Sequence, residues 1–219
     1  VLGDIIRANV VCQKIIPNVS EDIAKELKLK PHQKSLGLIT GSIDDVTFIA
    51  LDEATKSAEV EIVYAECLFS ALVGNYTKLA GEAIGILAGP SPAEVKSGLE
   101  ICENHIKNGA FYVNANDEGE SIYLAHCISS VGTFLADLVD VPVGTAMAYC
   151  IAPPVEAIYA VDAALKAADV RVVKSYLLPP LNTCNFAGAL MVGSQSACQA
   201  ACDAFADACK YVVASPMSV

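Results

Sequence analysis

The sequence predicts an α/β protein built from a duplicated domain, and three observations carry that reading. Residues 50–63, ALDEATKSAEVEIV, recur as AVDAALKAADVRVV from residue 160, with 7 of the 14 aligned pairs identical, among them Asp52/Asp162, Lys56/Lys166 and Val60/Val170. Two copies are too few for a solenoid and point to a repeated domain. The chain has 219 residues, room for one large domain or two of about 100, and the repeat offset of 110 favours two, at 1–108 and 109–219. Lastly, strand-like and helix-like stretches alternate in the same order in both halves. Helices so placed must cover a small sheet to close a core.

In the first half, Val10, Cys12, Ile15 and Ile16 form a strand-like run ended by Pro17. NVSEDIAKEL then opens a helix, with Ser20 as its cap and Glu21 and Asp22 at the positive end of its dipole. SLGLITGS (35–42) reads as a buried strand. VTFIALDEATKSA (46–58) reads as a helix, because Val46, Ile49, Ala50, Ala54 and Ala58 recur at helical spacing. VEIVYA (60–65) and EAIGILAG (82–89) are strands. SPAEVKSGLEICENHIKN (91–108) is a helix with Ser91 as cap, Pro92 in its first turn and Glu94 completing a capping box.

The second half follows suit. AFYVNAN (110–116) is a strand and SIYLAHCISSVGTFLADLV (121–139) reads as one helix. The turn LVDVP ending at Pro142 echoes LKLKP ending at Pro31. TAMAYCIA (145–152) is a strand, and Pro153 and Pro154 lead into the helix VEAIYAVDAALKAA. VRVVKSY and FAGALMVG (186–193) are strands on either side of LLPPLNTCN, and Ser196 with Gln199 opens the last helix as a second capping box.

Composition excludes several classes of function. The chain is 54% hydrophobic with mean hydropathy +0.47, yet no run approaches the ~18 to 20 apolar residues of a membrane-spanning helix. The surplus is largely Ala and Val, which suits close packing and apolar surface buried between subunits. A net charge of -11 argues against nucleic acid, which needs clustered Lys and Arg, and suits the attraction of small cations. Nine cysteines include no CxxC pair. They read as small core residues rather than disulfide partners or metal ligands, even Cys198, Cys202 and Cys209 on one alanine-rich segment. VLGDIIRANV carries no signal-peptide pattern, so a reducing cytoplasmic setting is expected. His32, His105 and His126 fall in no recognisable catalytic motif, and Gly81, Gly85 and Gly89 have neither phosphate-loop nor dinucleotide spacing. No enzyme, cofactor or metal is expected.

The pattern A-x-D-x-A-x-K-x-A-x-V, at Ala50–Val60 and again at Ala160–Val170, resembles the signature of bacterial microcompartment shell proteins. A strand and helix precede the motif in each half, as in the circularly permuted tandem type. SLGLITGSIDDVTFIALDEATK, LAGPSPAEVKSGL and GSQSACQAACDAF are similar to the L-type shell subfamily of ethanolamine utilisation. The resemblance spans essentially the full chain. The diol-utilisation B-type subfamily has the same architecture and competes with it. The resemblance implies two shell domains, each a small mainly antiparallel sheet covered by helices, so α+β in arrangement. It also implies a homotrimer of pseudo-sixfold symmetry that packs edge to edge with other shell proteins around a cytoplasmic metabolic compartment.

The same resemblance assigns residues. Lys56 and Lys166 match a tile-edge lysine, whose apolar stem covers a neighbour while its ammonium bonds backbone carbonyls. Loops 67–79 and 177–185, where the halves differ most, match central-pore positions and imply a gate. They hold Phe69, Gly74, Asn75, Tyr76, Leu178, Pro179, Pro180, Asn182 and Thr183. Asp44, Asp45, Glu82 and Phe111 resemble the residues around a small pore associated with ethanolamine, with Asn114 and Asn116 nearby in sequence as possible polar contacts. The chemistry is coherent: carboxylates attract an ammonium and an aromatic face adds cation–π attraction. For Asp44 alone, helix N-capping is the competing reading. A soluble small-ligand sensor would explain the acids without tiling.

Overall fold

In a computed structural model, residues 1–68, 82–178 and 186–217 are described. In chain order the first elements are β1 (Ile5–Ile6), β2 (Val10–Ile16), α1 (Glu21–Glu26), β3 (Ser35–Gly41) and α2 (Asp44–Ser57). β4 (Glu61–Leu68), β5 (Glu82–Gly89), α3 (Pro92–Asn108), β6 (Tyr112–Asn114) and β7 (Ile122–Ile128) follow. The chain continues through α4 (Thr133–Val139), β8 (Ala146–Ala152), α5 (Pro154–Ala167), β9 (Val170–Ser175), β10 (Ala187–Gly193) and α6 (Gln195–Ala214). These form two compact units. One comprises Arg7–Ala110 and Gly132–Leu138; the other comprises Val1–Ile6, Phe111–Val131 and Val139–Val219.

The first unit holds a four-stranded antiparallel sheet in the order β2-β3-β5-β4. Helices α2 and α3 lie on it through Ile49, Ala50, Leu51, Val95, Leu99 and Ile106, all buried. The approach is close enough to require glycine: a Cβ on Gly85 of β5 would lie 2.4 Å from Leu51 Cδ2. Close helix-on-sheet packing is thus the use of that glycine.

The second unit repeats the pattern as β7-β8-β10-β9, extended at the β7 side by β6 and β1, again all antiparallel. Helices α5 and α6 cover it, and β8 is buried along its whole length. Both units are therefore antiparallel sheets carrying helices, an α+β fold. The duplication extends to backbone detail. Among the described residues, the non-glycines with positive φ are Lys28 (φ 52) and Asp140 (φ 55), which follow the short helices α1 and α4 of the two sequence repeats. A left-handed residue closes a helix by turning the chain away from its axis.

Four expectations need correction. Residues 121–139 are not one helix: β7 and α4 replace it, matching β2 and α1. Most of β7 is buried on both faces, so its apolar run lacks the alternation that marks a half-buried strand. Ser20 sits at the α1 N-cap without a side-chain cap bond. The α6 cap is Ser194, whose hydroxyl accepts from the Ala197 amide at 3.1 Å, rather than Ser196. At α3, Ser91 accepts from the Glu94 amide at 3.3 Å, but the Glu94 carboxylate accepts from the Glu59 amide at 2.9 Å instead of closing a box.

Candidate functional site

Helix α2 begins with two acids at the positive end of its dipole. Asp44 Oδ1 accepts from the Asp45 amide at 2.9 Å, and the Thr47 hydroxyl donates to the Ile43 carbonyl at 2.7 Å. The residue at the N-cap is Ile43, so Asp44 serves the first turn from inside the helix. Strand β3 delivers this turn, and its last residue, Gly41, pairs with Ala83 of β5. Glu82 thus opens β5 at the same end of the sheet, opposite Leu68 of β4.

The electrostatics at this end are those of crowded carboxylates. Burial holds the Asp44 carboxyl above the usual aspartate range, and the Asp45 amide and the Cys67 thiol offset part of that shift. Burial and the neighbouring Asp44 carboxylate push the Cys67 thiol up to about 12. Glu82 Oε1 is buried with no hydrogen-bond partner among the described residues. A buried carboxylate oxygen without a donor is costly, and a cationic ligand would relieve it. Phe111 belongs to the other compact unit, where it precedes β6. There Asn114 lies in β6, and Asn116 accepts from the Glu120 amide at 3.1 Å. Cys67 escaped the sequence reading, which took every cysteine as packing; its place in β4 beside two acids becomes visible only through strand register.

The repeated motif is used differently in the two units. Asp52 is 1% exposed, and its oxygens accept from the amides of Gly132 at 2.7 Å and Leu135 at 2.9 Å. Thr55 Oγ1 accepts from the Thr133 amide at 3.0 Å, and the Phe48 and Phe134 rings lie 6.4 Å apart. So α2 seats and caps α4. A Cβ on Gly132 would lie 2.2 Å from Thr55 Oγ1, which is why a glycine stands there. Lys56 bonds Glu53 and lies 3.6 Å from Asp52, with its side chain 22% exposed. Its counterpart Lys166 is 74% exposed and bonds an equally open Asp162 at 2.5 Å. Sequence reasoning found the recurrence but not that α4 covers Asp52 in one copy and leaves Asp162 open in the other.

Beside α4, a shallow cleft of about 280 Å³ is lined by Glu61, Ile62, Thr133, Phe134, Asp137 and Leu138. Glu61 is already engaged by Lys30 and by His32 at 3.5 Å, and the Lys30 bond holds its carboxyl below the usual range. The central-pore residues Phe69, Gly74, Asn75, Tyr76, Pro179, Pro180, Asn182 and Thr183 lie outside the described residues; Leu178 is described and is 87% exposed. Among the described residues no cluster of His, Cys, Asp and Glu could hold a metal ion, and no helix is long and apolar enough to cross a membrane.

Comparison with known proteins agrees with this architecture. The BMC domain family matches residues 35–116 and 150–217. The bacterial microcompartment shell protein EutL of Clostridium perfringens is 55% identical over 215 residues, 98% of each chain. The crystal structure of the ethanolamine utilization protein EutL from Leptotrichia buccalis superposes with a TM-score of 0.93 at 51% identity, covering both chains completely. A trimeric bacterial microcompartment shell protein, PduB, shares the fold at a TM-score of 0.74 and 16% identity, over 94% of this chain and 89% of its own.

Proposed function

The chain belongs to the BMC-domain shell proteins of bacterial microcompartments, a structural and non-catalytic family, and from that premise we propose that it is an L-type shell subunit of an ethanolamine-utilisation compartment. Three chains form a six-sided tile that packs edge to edge with other shell proteins. Loops 67–79 and 177–185 gate its centre, and Asp44, Asp45, Glu82 and Phe111 surround a smaller pore that takes ethanolamine. The full-length identity to a EutL shell protein carries this reading. Electron microscopy of the purified protein tests it: flat hexagonal sheets support a tile, and discrete particles that never tile overturn it. Lys56 and Lys166 are the edge contacts. Replacing both by Glu is expected to weaken sheet formation while leaving the three-chain particle intact; normal tiling by the double variant would remove the edge role.

The small pore has a pH signature. Ethanolamine is a cation near neutral pH, so it needs ionised acids. Because burial raises the Asp44 carboxyl, affinity falls on acidification before an ordinary aspartate would titrate. A carboxyl raised by folding binds its proton more tightly in the folded state, so its stability contribution is present at low pH and is lost as pH rises through the folded value. A bound ammonium opposes that loss. Calorimetry is expected to show ethanolamine binding that weakens from neutral pH downward, and to lose at least about tenfold in affinity with Asp45→Ala or Glu82→Ala, about 1.4 kcal/mol. Unchanged binding in both variants would remove these residues from the site.

A further inference from the structure

The first turn of α2 lies over a row of residues drawn from three strands. Gly41 of β3, Ala83 of β5 and Cys67 of β4 pair directly across the sheet, so their side-chain positions share one face. That face is the one beneath α2: a Cβ on Gly41 would lie 1.9 Å from Thr47 Oγ1, and Ala83 is fully buried. Cys67 ends the row half-buried, its thiol donating to the Asp44 carboxylate. The other donors to that carboxylate are the backbone amides of Asp44 and Asp45, which the helix itself fixes. The thiol is the side-chain donor among them, and it arrives from a different element.

Among the described residues, the ionisable groups at this end of the sheet are Asp44 and Asp45 on α2, Cys67 and Glu66 on β4, and Glu82 on β5; β3 brings none. Thiol and acids fix each other. Burial, Asp44, Asp45 and Glu66 together keep the thiol protonated, with its pKa pushed up to about 12. It therefore stays a neutral donor and adds no further negative charge to a crowded end. In return the S–H bond opposes the burial that would protonate Asp44.

We propose that Cys67 is a positioning residue of the small pore, whose S–H bond to Asp44 keeps that carboxylate ionised to receive an ammonium. This rests on the small-pore reading and adds to it the group that sets the lower pH limit of binding. A thiol is a weak donor, so its removal shifts that limit and does not abolish binding. The acid side of the pH profile alone should move, because above it Asp44 is ionised with or without the bond.

The test is calorimetry with ethanolamine on the full chain as wild type, Cys67→Ala and Cys67→Ser. Cys67→Ala is expected to bind about threefold more weakly than wild type at about pH 5, and within about 1.5-fold of it at about pH 8. Cys67→Ser keeps a donor at that place and is expected to follow wild type at both. An alanine loss of equal size at the two pH values would make Cys67 a packing residue and overturn the assignment. A serine variant that tracks the alanine variant overturns it as well. Equal binding by all three proteins removes Cys67 and leaves the small-pore reading standing. A wild type that binds no ethanolamine at either pH overturns both.

Discussion

Asp52→Ala is expected to lower the thermal midpoint of the chain by about 6 to 12 °C. The side chain accepts two amide hydrogens at the start of α4, from Gly132 and Leu135. Its removal leaves both donors in a site where Asp52 is only 1% exposed. Hydrogen bonds to a charged group contribute about 1.5 to 3 kcal/mol each, and an abandoned buried donor costs about 1 to 3 kcal/mol. Carboxylate burial, which raises the Asp52 pKa, offsets part of this, because the variant no longer desolvates a charge. A net loss of about 3 kcal/mol follows, and for 150–250 residues each kcal/mol moves the midpoint by about 2 to 4 °C. Asn in place of Asp keeps one acceptor and turns a donor toward the second amide, so an intermediate loss is expected. Glu100→Ala, at a 66% exposed side chain paired to Lys96 at 3.7 Å, should stay within about 0.5 kcal/mol of wild type. If Asp52→Ala behaves like Glu100→Ala in calorimetry, α4 is held by its apolar face alone.

That contrast shows how far the sequence could be read. Hydrophobic periodicity, turn residues and the repeat were enough to place β3, α2, β5, α3 and the elements from β8 onward, because each has local signals that agree with its burial. Residues 122–128 resisted because burial on both faces erases the period on which strand recognition depends. The two-residue β1 is too short to have a pattern, and exists only through pairing with β6. For the site, Asp44, Asp45 and Glu82 were legible as acids near element ends, and strand register was needed to put them at one end of a sheet. Cys67 was not legible, since nothing local separates a thiol beside carboxylates from one in a core. Nor was the division of labour between Asp52 and Asp162. Identical residues in identical registers differ here only in what another segment covers.

The same dependence on neighbours makes Phe205 a sensitive position in the second unit. Eleven of the nineteen buried members of that core are alanine, and Phe205, on α6, is fully buried among them. Phe→Ala in a core costs about 3 to 5 kcal/mol, the amount depending on how far the surroundings collapse into the void. Collapse needs side chains that can change rotamer, and alanine has none to change. The covering strand is fixed as well: β10 pairs with β8 along seven residues, and a Cβ on Gly188 would lie 2.1 Å from the Cys150 carbonyl. Phe205→Ala is therefore expected at the upper end of that range, lowering the midpoint by about 10 °C or more, while Phe205→Leu should lose about 1 to 2 kcal/mol because most of the volume is retained. A loss below about 2 kcal/mol for the alanine variant would mean that α6 moves as a body to fill the space. In that case the small-residue core would be a surface on which a helix can shift.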